Sequence, residues 1–320
     1  MSWQEVALKW EKFEELEDYL KTQLENFSEK EKEEAFYAPL EFGTAGMRGI
    51  VGPGINRMNI YTVRQATEGL ARLIETYGEE AKKRGVAIAH DSRHFSPEFA
   101  LESAKVLVKH GIKAYVFEDL RPTPELSYAV RHLHTFAGIM ITASHNPAAY
   151  NGYKVYGEDG GQMPPKDADA LTEFVRQVEN PLAVDVVTKE ELEQSALFEW
   201  IGEAVDAAYL EEIKSVSVNP DLLSNTKDLS VVYTPLHGTG LMLTKRALDQ
   251  AGFTGLHVVS EQAVPDGDFT TVKSPNPEEA GAFEYAIRLG EETKADVLLA
   301  TDPDADRMGA AVRQPDGTYQ

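Results

Sequence analysis

Asp302, Asp304 and Asp306 stand at alternate positions directly after an apolar run, residues 297–301. In an extended loop, three carboxylates so spaced can turn to one hard cation, and carboxylate oxygens suit Mg2+ or Ca2+. Arg307 follows them and adds a fixed positive charge. A second candidate ends another apolar run, 136–142, where Ala143 leads into Ser144, His145, Asn146 and Pro147. A serine without an activating base can still hold a phosphoryl group, above all beside a divalent cation. A Ser-His-Asn-Pro stretch taken alone also reads as an Asx-type turn. Ser144 lacks the GxSxG surroundings of a nucleophile elbow. Neighbouring side chains of an extended chain point to opposite faces, which argues against His145 relaying the Ser144 proton.

Two further stretches bear on the same chemistry. The loop Gly43-Thr44-Ala45-Gly46-Met47-Arg48-Gly49 offers open backbone N–H groups and a guanidinium, enough to bind an anion or simply to make a glycine turn. Lys154 lies ten residues after Ser144 and reads as a general acid/base or as an ordinary surface lysine. Near other cations its pKa is expected to fall. Spacing tests two known aspartate motifs. An EF-hand needs glycine at the sixth loop position and glutamate at the twelfth, where this chain has Arg307 and Arg313. A haloacid-dehalogenase-type phosphatase has Thr or Val two positions after its second aspartate, where this chain has Asp306. The loop 233–240 lacks the third glycine of a dinucleotide fingerprint and is left as a cleft-lining loop or a structural turn.

The elements that must position these residues alternate. Residues 3–35 read as helix, with Val6, Trp10, Phe13, Leu16 and Leu20 at helical spacing. Thr62 and Gln65 suggest a capping box opening the next helix. Strands are expected at 86–89, 114–117 and 136–142, and helices from Ser96-Pro97 to His110-Gly111 and over 125–133. A break over 180–200 places the domain boundary near 200, giving domains 1–200 and 201–320. The second unit repeats the style, with helices at 203–216, 239–251 and 277–292 and strands at 229–233, 256–259 and 297–301. Both strongly apolar strands run straight into the candidate loops. That is the edge at which open α/β sheets bind ligands.

The 320 residues hold 31 Lys+Arg against 53 Asp+Glu, a net charge of −22, and no cysteine. That charge repels nucleic acid and anionic membranes, so an anionic substrate must be met by local cations. It neither requires nor forbids a homodimer. Zero cysteine excludes disulfides, thiolate metal sites and a cysteine nucleophile, and fits a reducing cytoplasm. The N-terminal stretch is no signal peptide, and no apolar run approaches a membrane span. The final strand and turn, 309–320, break off early in the returning strand, as a truncated chain would.

Taken together, GTAGMRG (43–49), TASHNPAAYNGYK (142–154) and DPDADR (302–307) resemble the α-D-phosphohexomutase family, in particular bacterial phosphoglucomutases related to phosphopentomutase and glucose-1,6-bisphosphate synthase. The resemblance implies two consecutive αβα-layered domains with mixed sheets, the family's domains I and II, with III and IV absent. It implies Ser144 as the phosphate carrier and Mg2+ held by Asp302, Asp304, Asp306 and a phosphoserine oxygen. Arg48, Arg307 and Thr44 would hold phosphate, Lys154 would act as general acid/base, and His145 would position the phosphoserine. The implied reaction interconverts glucose 1-phosphate and glucose 6-phosphate through glucose 1,6-bisphosphate. A chain with two of four domains is expected to bind Mg2+ yet turn over hexose phosphate barely or not at all. Pro303 and Ala305 stand where many relatives have glycine, and since the ligating positions are intact this implies altered loop stiffness and no loss of metal. Alternative readings are a metal-dependent phosphatase with an aspartyl nucleophile, a pentose-phosphate mutase and a non-catalytic sugar-phosphate sensor.

Overall fold

The computed structural model describes residues 2–43, 46–219, 222, 226 and 228–320. Where one helix is expected over 3–35, three short ones form: α1 (Trp3–Glu11), α2 (Asp18–Glu25) and α3 (Glu29–Phe36). A single helix of that length would run about 50 Å and reach past any core. Breaking it folds Trp10, Leu20, Leu24 and Phe36 into one cluster, with Trp10 edge-on to Phe36 and Tyr61 at 5.7 and 5.5 Å. Ser28 opens α3 through a capping box with Glu31.

The first sheet has the order β1 (Met47–Ile50), β5 (Tyr150–Tyr156), β4 (Ala137–Ile141), β2 (Val86–His90), β3 (Ala114–Phe117) and β6 (Phe198–Ile201). Strands β4, β2, β3 and β6 are parallel, and β5 alone runs against them, antiparallel to both its neighbours β4 and β1, so the sheet is mixed. Its central strands β2 and β4 are buried on both sides, and the two-residue period divides their side chains between two cores. Val86 and Ile88 enter the core beneath α4 (Ile60–Thr76), α6 (Ser96–Lys109) and α8 (Pro165–Arg176), to which the short helices α5 (Glu79–Arg84) and α9 (Lys189–Gln194) add Ala81 and Leu192. Ala87 and Ala89 enter the opposite core, which α7 (Thr123–His132) and α10 (Glu203–Ile213) cover. On β5, Tyr153 and Val155 join the first core and Tyr156 the second. Lys154 therefore lies on the α7 side.

The second sheet has the order β10 (Met308–Val312), β9 (Val297–Thr301), β7 (Val231–Thr234) and β8 (Leu256–Val258), with β10 antiparallel to an otherwise parallel set. The helix Glu284–Thr293 packs Ala286 against Val232, Leu298 and Ala300. No helix among the described residues is long and apolar enough to cross a membrane.

Three helix starts differ from expectation. α4 begins one turn early, because buried Asn59 caps it: its Oδ1 accepts from the backbone N–H groups of Tyr61 and Thr62 at 3.1 and 3.0 Å. Ser96 does not cap α6, since its hydroxyl donates to Asp91 Oδ1 at 2.8 Å and Phe95 takes the cap position in the left-handed region, φ 65°. The helix expected at 277–292 starts only at Glu284, after a 3-10 turn, because Glu279 is extended at φ −96°, ψ 132°.

Candidate active site

Both candidate loops leave the C-terminal ends of central parallel strands, β4 and β9, and the two domains bring those ends face to face. Ser144 Oγ donates to Asp302 Oδ2 at 2.7 Å, although the residues are 158 positions apart. Arg307 Nη1 donates to Ser144 Oγ at 2.5 Å and lies 2.6 Å from His145 Nδ1. Ser144 sits in the left-handed region at φ 52°, an uncommon state for a residue with a Cβ. Its backbone N–H donates to Thr142 Oγ1 at 2.8 Å, and Asn146 N–H returns to Ala143 O at 3.0 Å, closing a tight turn.

That conformation corrects one expectation. Extended backbone would have held the Ser144 and His145 side chains apart, but the left-handed turn swings them together, and Ser144 Oγ lies 3.2 Å from His145 Nδ1. Burial and the charges of Arg307 and Arg48 depress the His145 pKa, so the ring is neutral near pH 7. Arg307 then donates to an unprotonated Nδ1, and the ring proton resides on Nε2.

Asp302, Asp304 and Asp306 offer carboxylate oxygens that all lie within 4.8 Å of one another. Asp302 and Asp304 are fully buried, and Asp306 is exposed at the cleft. Burial and the neighbouring Asp304 charge push Asp302 well above the usual carboxylate range. Asp304 is buried too, and burial pushes it up, but the Lys154 ammonium and the hydrogen bonds to its carboxylate together hold it below that range. Asp304 Oδ1 is buried with no hydrogen-bond partner. An orphaned carboxylate oxygen inside a like-charged cluster fits a divalent cation bound through oxygen, Mg2+ foremost. Ala305 lies at φ 52°, a conformation glycine adopts freely, so this aspartate loop carries strain of about 1 kcal/mol or more.

Lys154 is buried on β5, 3.0 Å from Asp304 Oδ2 and 3.5 Å from Asp306. Its expected pKa depression is not found. Burial lowers it, but attraction to Asp304, Tyr156 and Asp306 overcomes that and leaves the ammonium above its ordinary value. Its neighbours are carboxylates where cations were expected. Arg48 reaches Asn146 Oδ1 at 2.7 Å, on the Ser144 loop but not at Ser144 itself. Gly46 sits at φ 86° with Tyr153 O only 1.9 Å from where a Cβ would be, so the loop needs that glycine. Thr44 lies outside the described residues.

The most informative missed residue is Arg93, 1% exposed. It donates to four carbonyls of the serine loop: Pro147 and Tyr150 at 2.9 and 3.0 Å, Ser144 and Asn146 at 2.6 and 2.5 Å. Its Nε faces buried Asp91 at 3.3 Å, and its guanidinium lies over Phe269 of the second domain at 4.9 Å. A signal was present, because Asp91-Ser92-Arg93 follows β2 just as the other loops follow β4 and β9. The loop 234–240 proves to be a support. Leu236, His237 and Thr239 are buried, Thr239 N–H donates to Pro303 O at 2.8 Å, and Gly238 leaves no room for a Cβ beside Pro303.

Known proteins resemble this chain in sequence and in fold. The family models "Phosphoglucomutase/phosphomannomutase, alpha/beta/alpha domain I" and "domain II" match residues 39–181 and 207–317. A phosphoglucomutase of Staphylococcus saprophyticus is 38% identical over 305 residues, covering 95% of this chain and 53% of the relative. One of Staphylococcus aureus is 39% identical over 294 residues, covering 92% and 51%. The chain thus spans about half the length of the curated relatives it matches. Among solved structures, a Thermus thermophilus protein described as a phosphomannomutase aligns with TM-score 0.68 at 28% identity, over 88% of this chain and 58% of that one. A phosphoglucomutase of Paramecium, pp63/parafusin, shares the fold at TM-score 0.64 and 19% identity, over 88% and 54%.

Proposed function

The chain belongs to the phosphoglucomutase/phosphomannomutase (α-D-phosphohexomutase) family, and on that premise we propose that its two domains supply the phosphate-carrying, metal-binding side of a glucose-phosphate mutase. The observation that carries this reading is Ser144 Oγ, set between Asp302 at 2.7 Å and the Arg307 guanidinium. A nucleophilic oxygen is thereby placed where a phosphoryl group would touch both a guanidinium and the aspartate cluster.

In the loading direction, the bond from Ser144 Oγ to phosphorus forms as the bond from phosphorus to the sugar oxygen breaks. The Ser144 proton leaves along its hydrogen bond to Asp302, and the departing sugar oxygen takes a proton from the Lys154 ammonium. Transfer to the other sugar hydroxyl reverses each step, with Lys154 taking the hydroxyl proton. Arg307 holds the transferring group, and neutral His145 fixes the Arg307 guanidinium through Nδ1. Mg2+, held by Asp302, Asp304, Asp306 and a phosphoserine oxygen, would supply charge neutralisation for the transferred phosphoryl group. The reading extends to glucose 1-phosphate and glucose 6-phosphate as the pair interconverted, to glucose 1,6-bisphosphate as intermediate and activator, and to the cytoplasm as compartment.

Incubation with Mg2+ and glucose 1,6-bisphosphate, followed by phosphopeptide mapping, tests it. Phosphate is expected on Ser144 and on no peptide of Ser144→Ala, with little or no net mutase turnover from the 320-residue chain. Phosphatase activity that survives Ser144→Ala would favour an aspartyl nucleophile and defeat the proposal.

A further inference from the structure

Asp304 is held from outside its own domain, since both groups that donate to its carboxylate come from the other domain. Thr123 Oγ1 donates to Asp304 Oδ2 at 2.9 Å, and Lys154 Nζ donates to the same oxygen at 3.0 Å. The Thr123 backbone N–H donates to the Asp304 carbonyl at 2.9 Å, so main chain and side chain are gripped together. Thr123 is the first residue of α7 and is itself buried. It cannot drift, because Arg121, two residues earlier, is locked to Asp206 of α10 by paired bonds of 2.8 and 2.9 Å and returns its backbone N–H to His90 O at 3.1 Å.

With both donors on Oδ2, the other oxygen, Oδ1, is left buried and unpaired. A carboxylate free to rotate would share its oxygens between the donors and a cation. One pinned through Oδ2 presents Oδ1 only. Resting on the reading of the aspartate cluster as a cation site, we propose that Thr123 is a positioning residue for that site: its hydroxyl fixes which Asp304 oxygen meets the ion. Cation affinity therefore depends on the seating of the first domain against the second. The first domain touches Asp302 as well, through Ser144, whereas the second anchors Asp302 Oδ1 with its own Arg307 N–H at 3.0 Å.

Titration with Mn2+ as the probe, the free ion counted by electron paramagnetic resonance, tests this on the whole 320-residue chain. Thr123→Val keeps the shape and backbone N–H but removes the hydroxyl, and is expected to weaken Mn2+ binding about ten-fold or more, the range for lost outer-shell partners. Thr123→Ser restores the hydroxyl and is expected within about three-fold of wild type, a rescue that a purely packing role would not produce. Thr123→Ala replaces the valine variant should that one not fold by circular dichroism. If Asp304→Asn abolishes binding while Thr123→Val leaves it unchanged, the role of Thr123 is refuted and the cation site stands. If wild type binds no Mn2+, or Asp304→Asn binds it equally well, the cation site falls and the inference with it.

Discussion

Arg93→Met should both destabilise the first domain and disable the serine loop. The side chain donates to carbonyls of Ser144, Asn146, Pro147 and Tyr150 and faces Asp91, all of it inside the protein. Methionine fills much of the volume but leaves four carbonyls without their shared donor and Asp91 without its counter-ion. A buried charge stripped of its partner costs about 3–5 kcal/mol. Each abandoned carbonyl adds up to about 1–3 kcal/mol where water cannot enter. These contributions overlap, so a net loss of about 4–6 kcal/mol is expected, a large part of the roughly 5–15 kcal/mol that holds most domains folded. Arg93→Lys keeps the charge but lacks the planar fork, and should lose about 2–3 kcal/mol. Urea unfolding followed by tryptophan fluorescence suits the measurement, because Trp3, Trp10 and Trp200 all lie in the first domain. Adding Asp91→Asn to Arg93→Met should recover about 1–3 kcal/mol, since the second change removes the charge that the first orphaned. Below its unfolding midpoint, Arg93→Met should phosphorylate Ser144 at least ten-fold more slowly, because the left-handed turn at Ser144 loses what holds it. An Arg93→Met protein within about 1 kcal/mol of wild type, with normal phosphorylation, would refute the reasoning.

Other consequences can be measured alongside. Glu125 is fully buried against Asp206, and burial first, then that neighbour, raises its pKa from 4.5 to about 9. The folded state then keeps a proton that the unfolded chain releases above about pH 4.5, so wild-type stability should fall with rising pH up to about pH 9. Glu125→Gln removes that slope: its urea stability relative to wild type should grow by about 1.4 kcal/mol per pH unit from pH 6 to 8, and a constant difference would refute the protonated assignment. Gly238→Ala would place a Cβ 2.4 Å from Pro303 Cα. The metal loop must shift, and Mn2+ affinity should fall about ten-fold although no ligand is touched, whereas an unchanged affinity would show that the loop yields.

Much of the architecture is written locally. The strands β2, β3 and β4 of the first sheet are short apolar runs closed by polar or glycine signals, and such runs read directly as buried strands, whereas the parallel edge strand β6, Phe-Glu-Trp-Ile with Glu199 and Trp200 exposed, carries no such signal. The serine sits at the end of β4 in the first sheet and the carboxylate triad at the end of β9 in the second, so the nearness of each to a ligand edge follows from the α/β rule alone. Errors cluster where a local signal had competitors. Thr62-x-x-Gln65 satisfies a capping pattern, yet Asn59 one turn earlier also binds the carbonyls of Gly52 and Gly54 and wins the position. Helical spacing continued through residues 12–17, but a helix of that length would have carried Leu20 and Leu24 away from the cluster that buries them.

The site itself was half legible, and the division has a physical cause. Residue type and spacing report what a side chain can do. They do not report the sign of φ, which at Ser144 decides whether His145 stands beside it or behind it. That sign is imposed from 51 residues away by Arg93, whose four bonds go to backbone carbonyls that any sequence possesses. Thr123 was hidden for the same reason. Within Pro-Thr-Pro it reads as a helix opening, and only the packing of one domain on the other turns its hydroxyl onto Asp304. Lys154 extends the point to electrostatics: neighbouring cations would lower its pKa, but the fold surrounds it with Asp304 and Asp306, and the direction of the shift reverses. The chemistry-bearing groups are thus local and readable, whereas the groups that aim them are distant and act through the backbone or through the far oxygen of a carboxylate.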